Sequence, residues 1–402
     1  MKSPLERINE GNPLHKLSEL GLTPPEIKEL ILSTLSPYFE NQEVLSNTDV
    51  GLLAIEGVNV GKISTIPHGD KFLSATLKNY RSAYADDPVR TLDVITSWEV
   101  RIQNATNEFW NQCLFEVDKM DLSLERFRFE VFRNIGSVTE ACIQPYLREG
   151  LVLNAIYSQK SNSGFDESSM TLGTVVRKYS YFFNYDSFLS PAPWKILVSD
   201  WRNIAQHHSS SVKDDKIVAT YNRSGREQSV ILSRDQLLDL LRSISFRLSI
   251  LKAARNIFMW DNVDEFRNRF EDIEAGEDTV LFMASSAMAS QGFQTVEHII
   301  KDDEVTFVLR DLQPACDHGR IAHCSQFVII LWQYYRRAMT RICYKDASGV
   351  LRTTIQVSNK TMESVVTETG IEWDMLLDGI EFIHKKTEKP NNTMEDNNLG
   401  CA

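Results

Sequence analysis

Arg202, Asn203 and His207 stand within the stretch Ser199–Ser210, which reads SDWRNIAQHHSS. An imidazole can take or orient a proton near neutral pH, and a guanidinium stabilises negative charge as it develops. On a helix beginning at Trp194, turning about 100° per residue, Trp194, Leu197, Val198, Trp201, Ala205 and His208 fall on one apolar face, with Ile204 slightly farther round. Asn203 lies about 180° from that face and His207 about 140°, an i, i+4 pair beside Asp200, with Arg202 on the flank. The adjacent histidines therefore have different expected environments. His208 is expected to pack toward the tryptophans as a structural ring, while His207 faces outward with Asn203. Taken alone, Arg202, Asn203 and His207 also fit an ordinary solvated face.

The flanking elements must hold that helix in place. Leu73 to Tyr157 reads as helical nearly throughout, with Leu92, Ile95, Trp98, Ile102 and Phe109 spaced as a buried stripe, and two long helices fit there. A polar break at Ser158–Ser169 precedes a shorter helix at Leu172–Phe183. After the Trp194 helix, KIVATY and SVILS flank NRSGREQ, a hairpin signal with Gly225 at the turn. Ser233 and Gln236 then form a capping box opening a helix striped by Leu237, Leu241, Ile244, Leu248 and Leu251. Upstream, Pro24-Pro25 starts a helix with Ile27, Leu30, Ile31 and Leu35 on one face, and the β-branched, Gly-rich segment Gly51–Ile66 reads as strands.

Trp260–Asp278 carries eight carboxylates against Arg267 and Arg269, which suggests a boundary near Glu277. Beyond it come a strand at Glu304–Leu312, a helix at Ile321–Met339, a hairpin at Arg341–Val357 and a last helix near Met362–Ile383, an α+β pattern. The expected organisation is mainly α. An N-terminal helix and strand region spans 1–72, a helical bundle with an inserted β-hairpin 73–260, an acidic linker 261–278, a C-terminal α+β domain 279–383 and a disordered tail 384–402.

The 402 residues, 42% of them hydrophobic, suffice for two or three cores. A net charge of −12 argues against a wholly basic nucleic-acid or membrane binder, so any RNA-facing surface must be local. Six scattered cysteines and an N-terminus without an apolar run point to reduced thiols and a cytoplasmic protein. The most apolar run, Phe327–Trp332, is far shorter than the roughly 20 residues needed to cross a bilayer. GVNVGKIS at Gly57–Ser64 has three residues between its glycines and Ile63 after Lys62, which fails the phosphate-loop pattern, and no cofactor is implied. Cys316, His318, His323 and Cys324 offer four zinc ligands in a spacing that matches no familiar module. Arg133-Asn134 echoes Arg202-Asn203 without a histidine behind it.

Arg202-Asn203-Ile204-Ala205-Gln206-His207 resembles the R-N-x-x-x-H motif of HEPN domains, carried there on a late helix of an all-α bundle, and the order of helices around it agrees. The resemblance covers about Leu73–Trp260. It implies a metal-independent RNA endonuclease acting as a homodimer, with two motif faces forming one composite site and Arg202, Asn203 and His207 as catalytic residues. It further implies a toxin or antiphage abortive-infection effector, held in check or triggered by a regulatory partner. The alternative is a noncatalytic HEPN-type module for dimerisation or for nucleotide or partner binding; such members often lack the full motif. Arg177 to Arg226 holds eight basic and four acidic residues, a local +4, and there Lys195, Tyr221 and Arg223 are candidate RNA-binding residues. Tyr221 fits ordinary hairpin packing as well.

Overall fold

The computed structural model describes residues 3–48, 50–113, 121–158, 169–183, 187–223, 225–266, 269, 276–313, 318–367 and 370–384. The fold is mainly helical, with two small sheets and a short two-stranded ladder among the described residues. Two compact units divide the chain, Met1–Gln291 and Gly292–Ala402.

The first unit runs α1 (Pro4–Gly11), α2 (Pro13–Glu19), α3 (Pro24–Leu35), α4 (Gln42–Asn47), α5 (Val50–Ser64), α6 (Gly69–Asp86) and α7 (Pro88–Cys113). Next come α8 (Leu124–Ser137), a π-helical turn (Val138–Ile143), α9 (Gln144–Tyr157), α10 (Leu172–Phe183) and α11 (Val198–Gln206). Strands β1 (Ser210–Lys213), β2 (Lys216–Arg223) and β3 (Arg226–Leu232) follow, and α12 (Arg234–Asp261), α13 (Val263–Phe266) and α14 (Glu277–Ser290) complete it.

Gly51–Ile66, expected as strands, is the helix α5. Its buried residues Val50, Leu53, Ala54, Gly57, Val60 and Ile63 recur at helical spacing, and burial of that stripe overrides the β-propensity of valine and isoleucine. A Cβ on Gly57 would meet Ile31 Cγ2 at 2.9 Å, so the glycine lets α5 close on α3. At α3 itself Ile27, Ile31 and Leu35 are buried while Leu30 faces out. Helix α12 opens on the expected Ser233/Gln236 capping box and packs on α5, α6 and α8. The hairpin with Gly225 at its turn is present, extended by β1 into a three-stranded antiparallel sheet.

Asp261 does not float in a linker. Its carboxylate accepts from the Glu40 and Asn41 amides at 3.0 Å and pairs with Arg81 at 2.6 Å, joining the end of α12 to the α3–α4 connection. Asp261→Ala is expected to cost about 1–3 kcal/mol, read as a lowered melting temperature, because it removes a nearly buried carboxylate that serves a partly buried guanidinium and two amides. Helix α14, expected in the C-terminal domain, packs on α5 and α7 within the first unit.

The second unit holds β4 (Phe293–Ile300), β5 (Glu304–Asp311), α15 (His318–Ser325), α16 (Phe327–Tyr335), β6 (Met339–Lys345), β7 (Leu351–Ser358), α17 (Asn359–Val365), β8 (Val366–Thr367), β9 (Gly370–Ile371), α18 (Trp373–Gly379) and β10 (Glu381–His384). Its five-stranded sheet has the order β10-β7-β6-β5-β4, with β5 and β6 parallel across the α15–α16 crossover. The single helix expected over Ile321–Met339 is split in two and stops at Arg336, whose φ of 47° breaks it. The helix expected near Met362–Ile383 is replaced by α17, the β8–β9 ladder, α18 and β10. Among the described residues no helix is long and apolar enough to cross a membrane. The tail from residue 385 lies outside the described residues.

Candidate active site

Helix α11 is seated by Val198, Trp201, Ile204 and Ala205, all buried against the bundle. Trp194 lies before the helix and packs edge-on against Trp201 at 6.2 Å. A Cβ on Gly136 would stand 3.2 Å from the Ala205 Cβ, so the glycine lets α8 approach α11 closely. These contacts fix the rotation of α11 and direct Arg202, Asn203 and Gln206 away from the core.

The helix ends at Gln206. His207 is its C-cap, donating its amide to the Asn203 carbonyl at 2.9 Å. His208 is left-handed with φ of 52°, and the Ser209 amide returns to the Ile204 carbonyl at 3.0 Å, a Schellman turn. This corrects the expectation for His208. Extending the helical phase two residues past the real end placed its ring on the apolar face; the turn swings it out, so it is exposed and stacks near-parallel with Phe129, ring centroids 6.2 Å apart.

His207 is exposed, as expected, and lines a groove of about 390 Å³ with Asp200, Asn203, Ser209, Tyr221 and Glu227. Burial pushes the Asp200 carboxyl above the ordinary aspartate range, and the charges of Arg177 and Arg223 oppose that rise. Tyr221 reaches the groove from β2 and donates its hydroxyl to Gln228 at 2.8 Å. Arg223 acts on the groove through its field on Asp200 and is not among the lining residues. Lys195 is exposed at φ of 53° and likewise does not line the groove.

Arg202 is engaged within the chain. Its Nε and Nη2 donate to the two oxygens of Glu140 at 3.0 and 2.5 Å, a bidentate fork, and Nη1 donates to Asn203 Oδ1 at 3.2 Å. Gln206 Nε2 also donates to Glu140. Glu140 sits in the π-helical turn that joins α8 to α9. Nothing in its sequence neighbourhood, VTEACI, marks it as a partner for a residue 62 positions away. Asn203 is thereby set between the guanidinium and the groove that holds His207.

Arg133-Asn134 takes no part in this arrangement; Arg133 pairs with Glu130 at 3.0 Å and Asn134 is buried. For the zinc reading, Cys316 lies outside the described residues. Burial pushes the Cys324 thiol up, and the His323 ring stacks on Phe293. Among the described residues no group of three or more His, Cys, Asp and Glu is placed to hold a metal ion. Compared with family models, with characterised proteins and with solved structures, the chain matches none.

Proposed function

We propose that the chain is a HEPN-type RNA endonuclease working as a homodimer, with Arg202, Asn203 and His207 as its catalytic residues. The observation that supports this most is the end of α11, where the exposed His207 and Asn203 line an open groove and the Arg202 guanidinium, forked onto Glu140, is hydrogen-bonded to Asn203. In this reading His207 takes the proton of a ribose 2′-hydroxyl as it attacks the adjacent phosphate. Arg202 stabilises the charge on the phosphoryl oxygens, and Asn203 holds the ring or a phosphate oxygen. The P–O5′ bond breaks as the 2′-oxygen bonds to phosphorus, and the departing 5′-oxygen takes a proton from water, giving a 2′,3′-cyclic phosphate and a 5′-hydroxyl. One such trio supplies few groups for both proton transfer and charge stabilisation, which favours two copies meeting across a twofold axis. A toxin or antiphage effector with a regulatory partner belongs to the same reading.

The Arg202–Glu140 ion pair favours a second reading, a noncatalytic HEPN-type dimerisation or partner-binding module in which Arg202 ties α11 to the π-turn. Incubation of the purified protein with a mixed RNA pool in excess chelator separates the two. Fragments ending in cyclic phosphate and 5′-hydroxyl are the expected result, since base and cation are both side chains. Cleavage that stops in chelator and returns with magnesium would overturn the metal-independent mechanism.

A further inference from the structure

Three donors converge on the Glu140 carboxylate. Arg202 Nε and Nη2 donate to its two oxygens at 3.0 and 2.5 Å, and Gln206 Nε2 donates to the same oxygen as Arg202 Nε. Arg202 and Gln206 stand four residues apart on α11, one turn of helix, so the helix itself builds this cradle for an oxyanion. A guanidinium fork fits a carboxylate and a phosphate alike, and an amide N–H can complete either.

The contact is not what seats α11. Val198, Trp201, Ile204 and Ala205 are buried, and Gly136 lets α8 close on Ala205. The Glu140 side chain is 40% exposed and that of Arg202 21%, so the ion pair is partly solvated and weakly held. Beside it lies a groove of about 380 Å³ between α8, the π-turn and α11, floored by Gly136, Ala141 and Ala205. Glu140 and Gln206 both line this groove, which gives the carboxylate room to swing aside by side-chain rotation alone.

We propose that Glu140 sits in the seat of a substrate phosphate, an internal anion that caps Arg202 until a phosphodiester displaces it, and that Gln206 is a further phosphate-binding residue. The inference rests on the ribonuclease reading of Arg202, Asn203 and His207 and names how that site is restrained. At rest each of the three guanidinium nitrogens donates within the chain, two to Glu140 and one to Asn203. An arriving phosphate exchanges one anion for another at the fork, so the carboxylate competes with substrate. A Glu140 that instead oriented Arg202 for catalysis would lower cleavage when removed; a competing Glu140 raises it. The sign of the change separates the two roles.

Affinity is measured for a short single-stranded 2′-fluoro RNA, which lacks the attacking hydroxyl, and cleavage for the matching unmodified RNA at subsaturating concentration. Glu140→Ala is expected to bind the 2′-fluoro strand about 2- to 5-fold more tightly than the unaltered chain, the worth of one partly solvated ion pair, and to cleave faster by a similar factor. Its log affinity should fall more steeply with log salt, by about 0.7, because Arg202 no longer carries its own counter-charge. Glu140→Gln keeps the size of the side chain and should act in the same direction. Both gains should vanish in the Arg202→Ala background. Gln206→Ala, made in the Glu140→Ala chain, should weaken binding by about 2- to 10-fold, one lost hydrogen bond.

Unchanged or weaker binding in Glu140→Ala and Glu140→Gln chains that melt normally would overturn the proposal and leave Glu140 as a tie between α11 and the π-turn. A gain that persists without Arg202 would overturn it as well, being a general effect of lost negative charge, and so would the absence of RNA binding in every chain. Gln206→Ala without effect would remove that residue from the seat. Tighter binding with no cleavage in any chain keeps the seat and sinks the nuclease. Cleavage with Glu140-independent affinity sinks the seat and keeps the nuclease.

Discussion

His207→Ala is expected to lower RNA cleavage by roughly 10²- to 10⁴-fold, the usual worth of a positioned general base, with the melting temperature unchanged. The ring is exposed, and the residue's role in the fold is to donate its backbone amide to Asn203, which alanine keeps. Arg202→Ala should match that loss, since a pentacoordinate phosphorus without its cation has no substitute on this face. Stability should fall by at most about 1 kcal/mol, because the Arg202–Glu140 pair is partly solvated. His208→Ala is expected to leave the melting temperature nearly unchanged, its ring being outside the core. Cleavage rate and thermal unfolding of the three variants decide the matter together. Cleavage retained in His207→Ala would remove that ring from the chemistry.

Arg255→Ala is expected to cost about 3–5 kcal/mol, a fall in melting temperature on the order of 10 °C. Arg255 is 2% exposed on α12 and donates to Glu149 at 3.1 and 3.2 Å, to Glu99 at 2.7 Å and to the Ile95 carbonyl at 3.1 Å. Tyr80 donates its hydroxyl to the same Glu149 at 2.6 Å. Burial already pushes the Glu149 carboxyl above its usual range, opposed chiefly by the Arg255 charge. Removing that charge leaves a carboxylate at 0% exposure that must take up a proton or stay uncompensated. Urea or thermal unfolding measures the effect, and an unchanged midpoint would mean that the cluster contributes nothing net. Arg255→Lys should recover only part of it, since an ammonium cannot reproduce the forked contacts to two carboxylates and a carbonyl.

Local signals in the sequence located much of the scaffold. The apolar spacing of Val198, Trp201, Ile204 and Ala205, the Ser233/Gln236 box and the Gly225 turn each act within a few residues, and each is found in place. What stayed hidden depends on partners distant in the chain or on where a period stops. Val and Ile in Gly51–Ile66 carry strand propensity until α3 and α12 supply a surface for the helical stripe. Strand β1 exists because Asp214 and Asp215 both adopt left-handed backbone, φ 47° and 57°, a turn that asparagine-glycine would have signalled more plainly. Of the proposed site, Arg202, Asn203 and His207 stand out in the sequence as a trio. Glu140 does not, because it is presented by a π-helical turn that no short pattern marks.

That turn also bears on how such a site can change. A π-turn holds more residues than an α-helical turn, and this one sits within one long helical run from Leu124 to Tyr157. Each extra residue in a turn advances the helix by about 100°, and the wider turn absorbs that advance locally, leaving the apolar stripes of α8 and α9 where a continuous helix would put them. The turn is itself part of the core, with Val138, Thr139, Cys142 and Ile143 buried, so the carboxylate that grips Arg202 is presented by the same residues that close the bundle. Reorienting Arg202 would require rotating α11 and exposing Trp201. Losing the Glu140 contact without disturbing that packing therefore means substituting the exposed Glu140 side chain, not removing the turn.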